Sequence, residues 1–297
     1  MNISGLLDLF DRIPAFEQLV NILTEEGGAR GVLPLELDKG TRPPVAAQLY
    51  RRVAMPRHAP ILLLSAHVDT ATLWHQALET WLPEGSRLLR LPEPTPLPYE
   101  RGPWSDRARQ GRLNVLAGLI RGQHPQISAA DKPLLIVSSA RAFLQKTLTK
   151  RRFITATRVL RAGQTLDLEK SLQIWQEIGY EPVSVVESAG QFSRRGGIVD
   201  IFPAAANMPV RIELFGDEVD TMRYFDPATQ RSLSPTDHWD APDSVIITPA
   251  REVMPEAARA FVEVWADEPL PGENSLPSWR DDLQNLRDGT PFANLEF

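Results

Sequence analysis

Cysteine is absent from all 297 residues. Disulfides and thiolate metal ligands are therefore excluded, and a reducing, cytoplasmic setting fits. No apolar run approaches the ~20 residues that a membrane-spanning helix requires, so no membrane partner is expected. The N-terminal MNISGLLDLFDRIPAF carries acids and no basic stretch ahead of its apolar residues, unlike a secretory signal peptide. Histidine is scarce, with five residues at 58, 67, 75, 124 and 238. The tightest grouping is His67, Asp69 and His75, and its spacing is poor for two ligands on one helix, so no metal site is expected. No Ser-His-Asp or paired-carboxylate arrangement can be read from spacing.

A working phosphate-binding loop is missing as well. Such a loop needs G-x-x-x-x-G-K-[ST], whose N–H groups, lysine and hydroxyl hold phosphates and Mg²⁺. The corresponding place reads LELDKGTRPPVAAQLY, residues 35–50. Gly40 and Thr41 are present at this degenerate position, but the second glycine and the Lys-Ser/Thr pair are not. Two prolines remove further N–H donors. This segment is not expected to hydrolyse ATP.

What is present is a globular composition, 42% apolar and 24% charged, with 26 prolines that favour many short elements. The net charge of −6 is uneven. Residues 250–297 hold ten acids against four bases, and residues 1–249 hold 28 of each. An overall basic footprint is absent. Locally, residues 133–165 contain Arg141, Lys146, Lys150, Arg151, Arg152, Arg158 and Arg161 and no acid. That run is either a solvated face or a docking patch for a polyanion or an acidic protein.

Along the chain, residues 6–24 read as helix broken near Pro14, and 43–54 as a helix begun by prolines. APILLLSA (59–66) and SRLLRLP (86–92) read as strands. The segments 70–82 and 107–122 read as helices, and KPLLIVSSARAFLQKTL (132–148) repeats strand then helix. Strand–helix alternation predicts an α/β region with a parallel sheet over 1–155. A helix over 166–180 then introduces PVSVVE, GIVDIF, MPVRIELF and EVDTMRYF. These short strands between Gly, Pro, Asn and Asp predict an antiparallel β-rich region over 156–249. Residues 250–297, with helical and acidic character over 255–289, read as a return to the first region.

The stretch QFSRRGGIVDIFP (191–203) carries the sharpest local signal. Glycines at 196 and 197 permit a tight turn or bulge. A phosphate loop would be followed by a helix, whereas IVDIFP reads as a strand. In the next strand Val210, Ile212 and Leu214 share one face, and Arg211, Glu213 and Phe215 the other. An aromatic beside an arginine on an outer face is a typical protein-binding anchor. The competing expectation is a Phe215 covered by a neighbouring helix.

QFSRRGGIVDIFP, followed by PVRIELFGDEVDTMRYFDPATQRSL (209–233), resembles the UvrB-like module at the N-terminus of the bacterial transcription-repair coupling factor (Mfd). LPEPTPLPYERGPWSDRARQGRL (91–113) resembles the same family. The resemblance covers essentially the whole chain. It implies a degenerate RecA/P-loop-like parallel-sheet domain lacking the Walker A motif, with an inserted small β-rich domain. It implies UvrA as the partner, with Arg195, Arg211 and Phe215 as contact residues. It also implies a C-terminal domain of the full-length protein that masks this face. The chain is then expected to be a fragment acting by recruitment rather than catalysis, with no cofactor of its own. ATP and Mg²⁺, RNA polymerase and double-stranded DNA would be handled by other regions of the full-length translocase. UvrB itself is the alternative, an ATP-dependent damage-processing protein. The missing Walker A residues argue against it, and so does the lack of a tyrosine-rich hairpin near Pro92–Trp104.

Overall fold

Every residue of Leu134–Ser139 is buried. A run led by four consecutive apolar residues, LLIV, is the sequence form of a strand covered on both faces. The computed structural model of the chain describes residues 2–25, 31–94, 104–130, 132–234 and 240–254, together with 281, 284, 285, 287 and 288. A 3₁₀ helix over Ser4–Arg12 leads to α1 (Pro14–Thr24), α2 (Arg42–Leu49), a π-helical turn (Tyr50–Ala54) and α3 (Met55–Arg57). Next come β1 (Ile61–Ser65), α4 (Val68–Trp81), β2 (Arg87–Leu91), α5 (Asp106–Ile120), β3 (Leu134–Ser139), α6 (Ala140–Leu144), α7 (Lys150–Ala156) and β4 (Arg158–Arg161). The remaining elements are α8 (Leu168–Glu177), β5 (Glu181–Pro182), β6 (Gln191–Arg195), β7 (Ile198–Ile201), β8 (Val210–Phe215), β9 (Glu218–Tyr224) and β10 (Ser244–Ile247). The architecture is mixed α/β, with parallel and antiparallel sheets. Among the described residues no helix is long and apolar enough to cross a membrane.

The chain divides into two compact units, residues 1–93 with 129–145, and residues 94–128 with 146–297. The first holds a parallel sheet in the order β1-β3-β2. Ala71 and Leu78 of α4 pack with Tyr50, Leu135 and Val137 in its core. The Tyr50 hydroxyl donates to the Pro133 carbonyl at 2.8 Å, so the one polar atom of that ring is satisfied inside the core. Pro14 stands at the start of α1, where its missing N–H costs nothing, and it separates α1 from the 3₁₀ helix.

The second unit holds a five-stranded sheet in the order β5-β6-β7-β8-β9 and a separate antiparallel pair, β4 with β10. One face of the larger sheet buries Phe192, Val199, Ile201, Val210, Ile212 and Met222 against Trp175 of α8. Trp175 and Phe192 meet edge to face at 5.6 Å. Asp167 caps α8, accepting from the Lys170 N–H at 3.1 Å.

Three sequence expectations differ from what is seen. PVSVVE forms a strand only at Glu181–Pro182. Beyond it, the Ser184 carbonyl accepts from the Ser193 hydroxyl and the Arg195 guanidinium rather than from a strand ladder. Val186 instead buries with Phe202 and Phe225. The helix expected up to residue 148 ends at Leu144. The boundary read at residue 155 places α5 and α7 with the first region, whereas Leu113 of α5 and Phe153 of α7 are buried in the core of the second unit. The helical character read over 255–289 lies almost entirely outside the described residues.

Candidate protein-docking face

Two tight hairpins shape the outer face of the five-stranded sheet. Arg195 pairs with Ile198 across Gly196-Gly197, and Phe215 pairs with Glu218 across Gly216-Asp217. The first turn residue of each is a glycine at positive φ, 63° for Gly196 and 62° for Gly216. L side chains resist that conformation, so glycine sets both turns. Gly197 has a second constraint, since a Cβ there would lie 3.2 Å from the Leu214 carbonyl oxygen.

Strand register then decides which side chains share the face. Arg195, Ile198, Glu213 and Thr221 form one cross-strand row. Ser193, Asp200, Arg211 and Arg223 form the next row on the same face. Phe215 follows Glu213 by two positions on β8 and so joins them. The sheet therefore brings Arg195, Arg211 and Phe215 to one face, opposite the core. Leu214 packs on the core, as the alternation predicts.

β9 departs from strict alternation. Glu213 faces Thr221 while Leu214 faces Val219, so Asp220 is an extra residue. Val219 and Met222 are both buried although three positions apart. The bulge is what lets both reach the core.

The three named residues stand in different environments. Phe215 is 83% exposed, so no helix covers it. Arg195 is exposed, and its Nη2 donates to the Ser184 carbonyl at 2.9 Å. Arg211 is largely engaged within the sheet. Its Nε and Nη2 donate to the two carboxylate oxygens of Asp200 at 2.7 and 2.9 Å. Its guanidinium lies 5.0 Å above the Phe225 ring. Nη1 reaches the Gln230 carbonyl at 3.3 Å and the Ser232 hydroxyl at 3.4 Å. The hydrogen bonds to Asp200 raise its pKa further, against the opposing cost of burial. Charge-assisted, bidentate pairs of this kind are both strong and directional.

Asp200 is the residue that sequence reasoning passed over. Its side chain is only 5% exposed. A carboxylate within the apolar run Ile198–Phe202 demands a cationic partner, and Arg211 is placed directly across the ladder. Arg223 and Glu213 add an ion pair of 3.5 Å to the same face.

Gly40 and Thr41 lie in the other unit. The Thr41 N–H and hydroxyl both donate to the Asp38 carbonyl, at 3.0 and 2.9 Å. α2 follows, with prolines at its second and third positions. The Thr41 hydroxyl is thus turned back on its own loop. Among the described residues no group of His, Asp and Glu could hold a metal ion.

A family model described as the UvrB interaction domain matches residues 159–252, which contain Arg195, Arg211 and Phe215. The transcription-repair-coupling factor of Mycobacterium tuberculosis (strain CDC 1551 / Oshkosh) is 32% identical over 298 residues, covering 99% of this chain and 22% of that protein. The transcription-repair-coupling factor of Myxococcus xanthus is 32% identical over 213 residues, or 71% of this chain and 16% of that protein. The Bacillus subtilis (strain 168) protein of the same name is 30% identical over 215 residues, 71% of this chain and 17% of that protein. The chain therefore spans about a fifth of the length of these relatives.

Proposed function

The chain belongs to the transcription-repair-coupling-factor family, as an N-terminal module containing the UvrB interaction domain, and on that premise we propose that it is a non-catalytic adaptor that recruits UvrA. The observation that carries the reading is the 83% exposed Phe215 on the same sheet face as Arg195 and Arg211. A large ring left in water has a cost unless a partner covers it, and aromatic anchors beside arginines dominate protein interfaces. Arg195 supplies charge to an acidic partner surface. Arg211, held by Asp200, keeps the face in shape.

The first unit then serves as a degenerate RecA-like domain. Its Gly40–Thr41 turn lacks the lysine and the N–H groups that would hold phosphates. ATP and Mg²⁺ act in a translocase region of the longer protein, which is also where RNA polymerase and double-stranded DNA are engaged. A C-terminal domain of that protein covers the Phe215 face until it is released. The setting is cytoplasmic.

The test is titration of the purified chain with purified UvrA at two salt concentrations, alongside an ATPase assay. The reading expects saturable binding that weakens as salt rises, with no ATP hydrolysis. Absence of binding by a folded chain would count against UvrA as the partner, and ATP turnover by it would count for a UvrB-type enzyme instead.

A further inference from the structure

Several arginines of this protein meet carboxylates. Arg51 meets Asp8 and Asp11, Arg52 meets Asp11 and Glu17, Arg194 meets Glu169, and Arg223 meets Glu213. The stretch from Lys146 to Arg161 is different. Lys146, Lys150, Arg151 and Arg152 are exposed, on and just before α7. Among the described residues, none of them makes an ion pair with a carboxylate. β4 carries the positive stretch on to Arg161, which is also exposed. Arg161 lines a cleft of about 450 Å³ together with Arg121, Gln126, Tyr224 and Ser244. Its two charged lining residues are both arginines.

The chemistry around these cations narrows the partner. From 146 to 161 no large hydrophobic side chain is exposed, and the exposed Phe143 and Leu144 precede the stretch. A protein interface would want an apolar anchor there, as Phe215 provides on the other face. What accompanies the cations is hydroxyl: Thr147, Thr149 and Thr155 are exposed. Lysine, arginine and threonine are the side chains that hold phosphate oxygens. The one aromatic ring in the stretch, Phe153, is buried, so no ring is offered for a splayed base to stack on.

We propose that the surface from Lys146 to Arg161, with Arg121 beside it, is a second binding surface that holds the sugar-phosphate backbone of a duplex nucleic acid without reading its sequence. It is separate from the Phe215 face and does not depend on the UvrA reading.

The experiment is fluorescence anisotropy of a labelled random-sequence DNA duplex titrated with the 297-residue chain. Contact with about four phosphates predicts roughly hundredfold weaker binding between about 50 mM and about 200 mM salt. The triple variant Lys150→Ala, Arg151→Ala, Arg152→Ala should bind at least ~10-fold more weakly at the lower salt, since each lost cation removes released counterions. These side chains are exposed, so its melting temperature should match that of the wild type, and the pair Arg121→Ala, Arg161→Ala gives a second variant with the same expectation. Poly-glutamate of matched charge serves as competitor, and duplex should outcompete it. Salt-insensitive or absent duplex binding, unchanged affinity in both variants, or equal competition by poly-glutamate would each overturn the proposal.

Discussion

Arg211 and Asp200 face each other across β8 and β7 and form a bidentate pair, at 2.7 and 2.9 Å, with the guanidinium stacked on Phe225. The pair ties the sheet to the Asp226–Ser232 turn and is mostly shielded from water. Arg211→Ala should therefore destabilise the unit, by about 3 kcal/mol, because it leaves the Asp200 carboxylate buried and unpaired. Chemical denaturation of the wild type and variant checks this. A loss of partner binding in Arg211→Ala must then be read together with its stability.

Arg112 and Glu252 form a second buried pair, each side chain 2% exposed, with the Arg112 guanidinium 5.3 Å from the Trp104 ring centre. Glu252→Ala should cost about 3 kcal/mol, since it removes a bidentate carboxylate from a buried cation. The double variant Arg112→Met, Glu252→Leu should recover most of that loss. Denaturation midpoints of the two proteins make the comparison.

Gly196 gives a cleaner backbone test. A Cβ there would meet nothing within 4 Å, so any cost of Gly196→Ala comes from the positive φ alone. The expected loss is about 1 kcal/mol, and Gly196→Asn should lose less, because asparagine tolerates this region. Equal stability of all three proteins in urea would contradict the hairpin assignment.

Asp226 predicts a pH dependence. The Ala228 N–H, followed by the Thr229 hydroxyl, holds its carboxylate below the usual pKa. Its contribution to stability is thus fully present above the unfolded-state value of about 3.9 and is lost as pH falls through the lower folded-state value. The stability gap between wild type and Asp226→Asn should narrow as pH is lowered from neutrality toward 2, followed by thermal melts.

The sequence makes the alternation of β8 legible, because Val210, Ile212 and Leu214 are apolar and Arg211, Glu213 and Phe215 are outward by parity. The strand–helix repeat of β1 with α4 is equally plain, and so is the strand β3. The bulge at Asp220 was hidden, since its only trace is the odd spacing of Val219 and Met222. The 183–187 segment mimics a strand in its valines, whereas Val186 and Val183 pack with Phe202 and Phe225 and Val185 is exposed. The Asp200–Arg211 pair needed the register, which depends on contacts between strands rather than on either strand alone. Likewise, α5 and α7 belong to the second unit through Leu113 and Phe153, whose burial partners lie far along the chain.

Phe215 is the most exposed aromatic named on the sheet face. Its side chain is 83% exposed, so Phe215→Ala should change stability by less than about 0.5 kcal/mol. The same substitution should weaken binding of UvrA by about 2 kcal/mol or more, near a thirtyfold rise in Kd, if the ring is the anchor. The measurement is calorimetric titration of purified UvrA with wild type and Phe215→Ala, with melting curves of both. A variant that melts with the wild type and binds far more weakly is the predicted result. One that melts with the wild type and binds UvrA equally well would contradict the assignment of this face.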